Sequence, residues 1–249
     1  MVPYPAAVDV PPSVVEAATM AVISREGERR CRLRPSQRVL CALVYLRKND
    51  TFAQLVAGFG IGIATAWRYT WDVIGHLEAL APTLREVLEE AEPDWVLVDG
   101  LLARCDQVGD GRAGYSGKHR EHGVNVQVVN GPTGRLLWLS PALPGRANDL
   151  AAAREHEIPD VLASLEIAGF ADKAYACRGG HLTTPIKRKT GHDLCDKHRR
   201  HNRVHARIRG PVERGVATAK HWRVLRGARC SPSRMSRITA AILTLTIYT

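Results

Sequence analysis

The spacing of apolar positions changes character at Pro93. Before it, apolar residues recur every three or four positions, the period of a helix. A Pro-rich lead is followed by SVVEAATMAVIS, which predicts a short helix. PSQRVLCALVYLRKN sets Leu40, Leu43 and Val44 at i, i+3 and i+4, on one helical face. In TFAQLVAGFGIGIATAWRYTWDVIGHL, Thr51 can cap a helix to about Ala57. Gly58, Phe59 and Gly60 then make a turn, and a second helix runs from about Ala64 to about Leu80. LREVLEEAEPD predicts an acidic helix and linker.

After Pro93 the pattern becomes strand-like. Trp95 to Val98 is apolar on both faces, as in the middle of a sheet. GVNVQVVN alternates Val124, Val126 and Val128 with Asn125 and Gln127. GRLLWLSP is a third strand, joined to the second by a tight turn at GPTG, residues 131 to 134. These strands predict an antiparallel meander. A helix broken at Pro159 leads to a fourth strand, IAGFADKAY. A strand-helix-strand crossover of that length puts the fourth strand parallel in the same sheet. LTTPIK reads as a short fifth strand, and the remainder as helices.

This order gives an α/β chain with three parts: an N-terminal extension over 1–35, a helix-turn-helix domain over 36–92, and a sheet-containing domain over 93–249. Meander, helix, strand and outer helices is the order of a ribonuclease-H-like fold, a mixed sheet flanked by helices. Helix, short Gly-containing turn, helix is the layout that reads DNA, with Thr65, Arg68 and Tyr69 set to face a groove. An ordinary helical hairpin has the same pattern.

Charge shifts that balance. The net charge is +10, and nine Lys/Arg against two Asp fall between Lys187 and Arg209. Such clustering points to a polyanion. Lys197, Arg199, Arg200 and Arg203 suit a helix that tracks phosphates. Cys195, His198, His201 and His205 share that helix, but one face cannot readily wrap a tetrahedral zinc with all four. Lys118, His119 and Arg120 lie in the loop between the first two strands, where they could hold DNA or form a solvated hairpin tip. Six irregularly spaced cysteines read as reduced thiols of a cytosolic protein. No signal peptide or bilayer-spanning run is seen, which places the chain in the cytoplasm, associated with the nucleoid.

Carboxylates supply the candidate chemistry. The first strand runs into Asp99, and a buried sheet end is an expensive place for an unpaired carboxylate. Asp172 ends the fourth strand, and Glu213 sits near the start of PVERGVATAKHWRVL with Lys220 two turns along the same face. Three converging carboxylates repel unless cations neutralise them. Oxygen ligands select Mg²⁺ or Mn²⁺. Two such ions, about 3.5–4 Å apart, can activate a water or a 3′-hydroxyl against a phosphodiester. Asp149 in GRANDL is the other candidate for the second ligand, but it precedes a helix and can serve as its cap.

VLVDG, YSGKHREHGVNVQVV, GRLLWLSPALPGRANDL, ADKAY and PVERGVATAKHWRVL together resemble the DDE transposases of the Harbinger-related group, in particular bacterial transposases of the insertion-sequence-5 type. The resemblance runs from about Asp94 to Leu245. It implies a triad of Asp99, Asp172 and Glu213, metal-dependent cleavage at element ends, and strand transfer into target DNA. It also implies double-stranded DNA as partner, with the protein acting as a homo-oligomer on it. The chain departs from the family at Ala174, where Gly is frequent, and at Asn148, where His is frequent. The alternative is a catalytically inactive DNA-binding protein of the same fold.

Overall fold

The computed structural model describes residues 8–26, 30–106, 114–177 and 180–247. They form two compact units. The helical unit takes described residues of 1–82, 104–107 and 219–249, and the sheet unit those of 83–103 and 108–218.

In the helical unit, α1 (Pro12–Glu26), α2 (Pro35–Lys48), α3 (Phe52–Phe59) and α4 (Ile63–Glu78) pack together. Cys41 to Leu46 of α2 are all buried, because neighbours cover more than one face of this helix. Thr51 caps α3 as expected: its hydroxyl accepts from the Gln54 amide at 3.3 Å, and the Gln54 side chain accepts from the Thr51 amide at 2.7 Å. The turn is tighter than the expected three residues. Gly58 and Phe59 stay helical, and Gly60 alone reverses the chain, at φ +63°.

The C-terminal helix α10 (Met235–Ile247) also belongs to this unit, packed on α4. Met235, Ile238, Ala241, Ile242 and Leu245 recur at three- and four-residue spacing and are fully buried. Thr244 donates to the Leu77 carbonyl at 2.9 Å, and Arg237 meets Glu78 at 2.7 Å. The chain therefore does not divide into consecutive blocks at residue 93. An apolar face at the end of the sequence finds its partner near the beginning.

The sheet unit holds β1 (Trp95–Arg104), β2 (Tyr115–Ser116), β3 (Glu121–Asn130), β4 (Leu136–Leu139), β5 (Leu143–Pro144), β6 (Ala168–Ala171) and β7 (Leu182–Thr183). The order is β2-β3-β1-β6-β7, with β4 and β5 also on β3. β1 is central, with Val96, Leu97 and Val98 fully buried. β6 is parallel to it, Val98 opposite Ala171. β3 is antiparallel to β4, Val129 opposite Trp138. α5 (Leu84–Ala91), α6 (Asp149–Glu155), α7 (Ile158–Ser164), α8 (Asp196–Arg209) and α9 (Val212–His221) follow in chain order. The break between α6 and α7 is at Glu157, φ +53°, with Pro159 in the first turn of α7. α6 packs on β3, and Asn125 and Gln127, the polar half of that strand's alternation, are buried as well as the valines.

Candidate active site and nucleic-acid interface

The β1–β6 register builds the centre of the site. Val98 and Ala171 are partners, so the residues that follow them, Asp99 and Asp172, are neighbours at the same level of adjacent parallel strands. Asp172 then caps a 3₁₀ turn, accepting from the Ala174 amide at 2.7 Å. Ala174 does not have a positive φ, so the side chain there introduces no backbone strain. Glu213 is exposed in the first turn of α9. Burial pushes the Asp99 carboxyl above the usual range, Arg209 and the Gly100 amide oppose this, and Asp172 and Glu213 add to it. The three carboxylates thus act on one electrostatic field.

Asp99 has a cation beside it. Arg209, the last residue of α8, brings Nη2 to 3.5 Å from Asp99 Oδ1, both side chains being mostly buried. The Arg209 Nε is buried without a hydrogen-bond partner. In the sequence, Arg209 reads only as one cation of a basic run. Its place two residues before Pro211, at the entry to the helix of Glu213, was the available signal.

Among the described residues, no group of three His, Cys, Asp or Glu is drawn together closely enough to hold a metal. The donor chemistry nevertheless fits a hard divalent ion, since mutually repelling carboxylates are relieved by a cation bound through oxygen.

The turn between β3 and β4 fixes the start of α9. Asn130, fully buried, donates to the Val212 carbonyl at 3.4 Å, and Arg214 donates to the Thr133 carbonyl at 3.3 Å. Gly134, at φ +83°, lies where a Cβ would come within 2.2 Å of the Pro211 carbonyl oxygen. A Cβ on Gly215 would come within 1.8 Å of Asn130 Oδ1. These contacts set the helix turn that carries Glu213.

Asp149 has a different role from the expected cap. Asn148 caps α6, accepting from the Ala151 amide at 2.8 Å. Asp149 is one residue into the helix and turned inward, 7% exposed. Its Oδ2 meets Lys118 Nζ at 2.9 Å, and its Oδ1 accepts from Asn125 at 3.0 Å. Asn125 Oδ1 accepts from Gln127 at 2.7 Å, and Gln127 Oε1 accepts from the Tyr175 hydroxyl at 2.7 Å. The hydrogen bond to Asp149 raises the Lys118 pKa above its usual value, with Asp172 and Asp99 contributing, so this amine stays charged. A cleft of about 320 Å³ opens here, lined by Gly100, Lys118, His119, Arg146, Asp149 and Ala174 among others.

The expected DNA-facing residues divide unequally. On α4, Arg68 is exposed and Thr65 half-buried. Tyr69 does not face a groove: it is 2% exposed, its hydroxyl accepts from the Arg32 amide at 3.1 Å, and Arg38 lies over its ring. Ile63 and Trp67, which sequence reasoning passed over, are the large apolar side chains exposed on this helix. On α8, Lys197, Arg199, Arg200, Arg203 and Arg207 are exposed, Arg199 being paired with Asp196 at 2.7 Å. The inner face instead holds the sheet edge. His205 and His201 bond the Thr183 and Thr184 carbonyls, and Asn202 bonds both backbone groups of Ile186. Those histidines are engaged with backbone and not with one another as zinc ligands. Lys118 is largely exposed, and Lys220 is exposed on α9.

Comparison with known proteins decides the family. Residues 98–247 match the model for the DDE superfamily endonuclease. The chain belongs to this superfamily. Residues 31–82, the span of α2, α3 and α4, match the helix-turn-helix of DDE superfamily endonucleases, which implies DNA binding by this region. The provisionally named transposase for insertion sequence element IS112 of Streptomyces albus G is 30% identical over 218 residues, covering 84% of this chain and 80% of that protein. No solved structure matches significantly. The superfamily has a ribonuclease-H-like fold and uses divalent metals, in keeping with the mixed sheet and with Asp99 beside Asp172, which follows the end of β6. β1 does not end at Asp99 as expected but runs on through it to Arg104. No described helix is long and apolar enough to cross a membrane.

Proposed function

We propose that the chain is an insertion-sequence transposase, binding element-end DNA and carrying out metal-dependent phosphodiester cleavage and strand transfer. Asp99, Asp172 and Glu213 are the catalytic carboxylates and the ligands of Mg²⁺ or Mn²⁺, in a site for two ions. The observation that carries this reading is the pairing of Val98 with Ala171, which makes the two aspartates neighbours. The influence of Glu213 on Asp99 adds the third carboxylate to the same field. When bound, the metal supplies the positive charge that activates the attacking oxygen and stabilises the leaving one. The protein's own part is to set Asp99 beside Asp172, to fix Glu213 through Asn130 and Gly215, and to keep DNA in register.

DNA is held by both units in this reading. Thr65 and Arg68 of the helix-turn-helix meet the groove. Lys118, Arg199, Arg200, Arg203 and Lys220 meet phosphates. The protein works as a homo-oligomer on DNA in the bacterial cytoplasm, at the nucleoid. The test is nicking of labelled element-end DNA with Mg²⁺ or Mn²⁺. Wild type should cleave and Asp172→Asn should not, while both bind the DNA alike. Equal cleavage by Asp172→Asn would refute the triad.

A further inference from the structure

The chain from Lys118 to Tyr175 is unusual in its direction. It starts at an ammonium on the surface, passes through Asp149, Asn125 and Gln127, and ends at the hydroxyl of Tyr175, which is 1% exposed. A polar chain this deep restricts each member to one rotamer, because any rotation leaves a buried donor or acceptor unpaired. Gly100 completes the restriction. A Cβ there would stand 2.3 Å from Asp149 Oδ1, so β1 leaves room for the carboxylate directly beside Asp99. The outer end of this chain is a lysine on the wall of a cleft that is also lined by Gly100, the residue after Asp99, and by Ala174, whose amide donates to Asp172. A cleft of about 320 Å³ lies at the small end of ligand-enclosing pockets. That volume is on the scale of one nucleotide unit and far below that of a duplex. On its wall Lys118, His119 and Arg146 outnumber the one carboxylate, Asp149, which is paired with Lys118, and this balance suits an anion.

We infer that this cleft binds the phosphodiester of a single nucleotide of the DNA strand, with Lys118 as its anchor and Asp149 as the positioning residue that aims Lys118 through the buried chain. The inference rests on the DNA-processing reading above and adds to it a defined subsite and a task for Asp149, which is otherwise a buried carboxylate with no part in the triad.

The sign of one measurement separates this from simple electrostatics. Removing a negative charge from a DNA-binding surface strengthens binding to a polyanion. If Asp149 aims Lys118, removing its charge weakens binding instead. The experiment uses the full chain in metal-free buffer with a labelled duplex carrying a single-stranded overhang. Lys118→Gln should weaken binding roughly 3- to 10-fold and lower the salt slope by about 1. Asp149→Asn should weaken it about 3-fold, and the double variant should bind no more weakly than Lys118→Gln alone, because the two act through one contact. Tyr175→Phe, which keeps the ring and frees Gln127, should weaken binding in the wild-type background but not in Lys118→Gln. This isosteric variant carries the test should Asp149→Asn fail to fold. Tighter binding by Asp149→Asn, or additive losses in the double variants, would overturn the inference. Binding is measured without metal, so a failed cleavage assay bears on the triad alone.

Discussion

Glu26 and Asp99 are both carboxylates taken largely out of water, one in each unit, and they are treated in opposite ways. Burial pushes Glu26 upward, but hydrogen bonds from Arg38 and His76 outweigh it, and its pKa lies below the usual carboxylate range. Its Oε1 is 2.8 Å from His76 Nε2, and the other oxygen is bonded by Arg38. Burial raises the Asp99 pKa, its one cation at 3.5 Å and the Gly100 amide do not offset this, and Asp172 and Glu213 add to the rise. The first group is satisfied and ties α1, α2 and α4 together. The second retains an electrostatic deficit. A buried charge closed off by its partners serves the fold, whereas one left short of positive charge marks where a cation belongs.

The largest test of this contrast removes the apolar support of the helical unit. Ending the chain before Met235 deletes Met235, Ile238, Ile242 and Leu245, each worth about 1.5–3 kcal/mol when fully buried. The total, on the order of 10 kcal/mol, rivals the whole stability of a domain. The truncated protein should lose the helical unit's thermal transition and its sequence preference for element-end DNA. A fragment ending near Glu90 lacks α10 too and should fail in the same way. Normal melting and preference in either would show that the N-terminal helices suffice.

Within the sheet unit, Asp172→Asn should reduce metal-dependent cleavage by roughly 10²–10³-fold or more. Asp149→Asn should reduce it only about 10-fold, the scale of outer partners that orient other groups. Reversed ranking of the two in single-turnover assays would exchange their roles. A smaller effect belongs to Gly215→Ala. The new methyl group must displace Asn130, and overpacking of this kind costs about 1–3 kcal/mol. The melting temperature should fall, and cleavage should fall with it, because α9 carries Glu213. An unchanged melting temperature would mean that the turn yields freely.

The smallest effect is a pH dependence. Because Glu26 has a lowered folded pKa, its contribution is present above its unfolded value near 4.5 and is lost as pH falls through the folded one. Glu26→Gln should therefore flatten the acid limb of the helical unit's stability curve, measured by denaturant unfolding between pH 5 and 2. A limb as steep as in wild type would assign acid sensitivity to other groups.

Much of the framework is legible in local pattern. The Thr51 cap with Gln54, the apolar run of Trp95 to Val98 and the crossover to β6 each follow from residues close in sequence. Asp99 and Asp172 stand out because each follows an apolar run, although β1 continues through Asp99 to Arg104. Tyr69 misled because helical spacing does not say which neighbour covers a face, and Arg32 and Arg38 come from elsewhere in the chain to cover it. Asp149 misled because Asn148 is an equally good cap one position earlier.

By itself, then, the sequence determined the elements, their order and the carboxylate types, because periodicity, capping and strand crossovers are short-range properties. Tertiary structure alone decided the partners. It set Arg209 on Asp99, turned Asp149 towards Lys118, buried Asn125 and Gln127 beneath α6, and returned α10 to α4. A charge or an apolar face is neutral as to which distant group satisfies it. That choice is made only when the whole chain has been folded and every buried group must be paired at once.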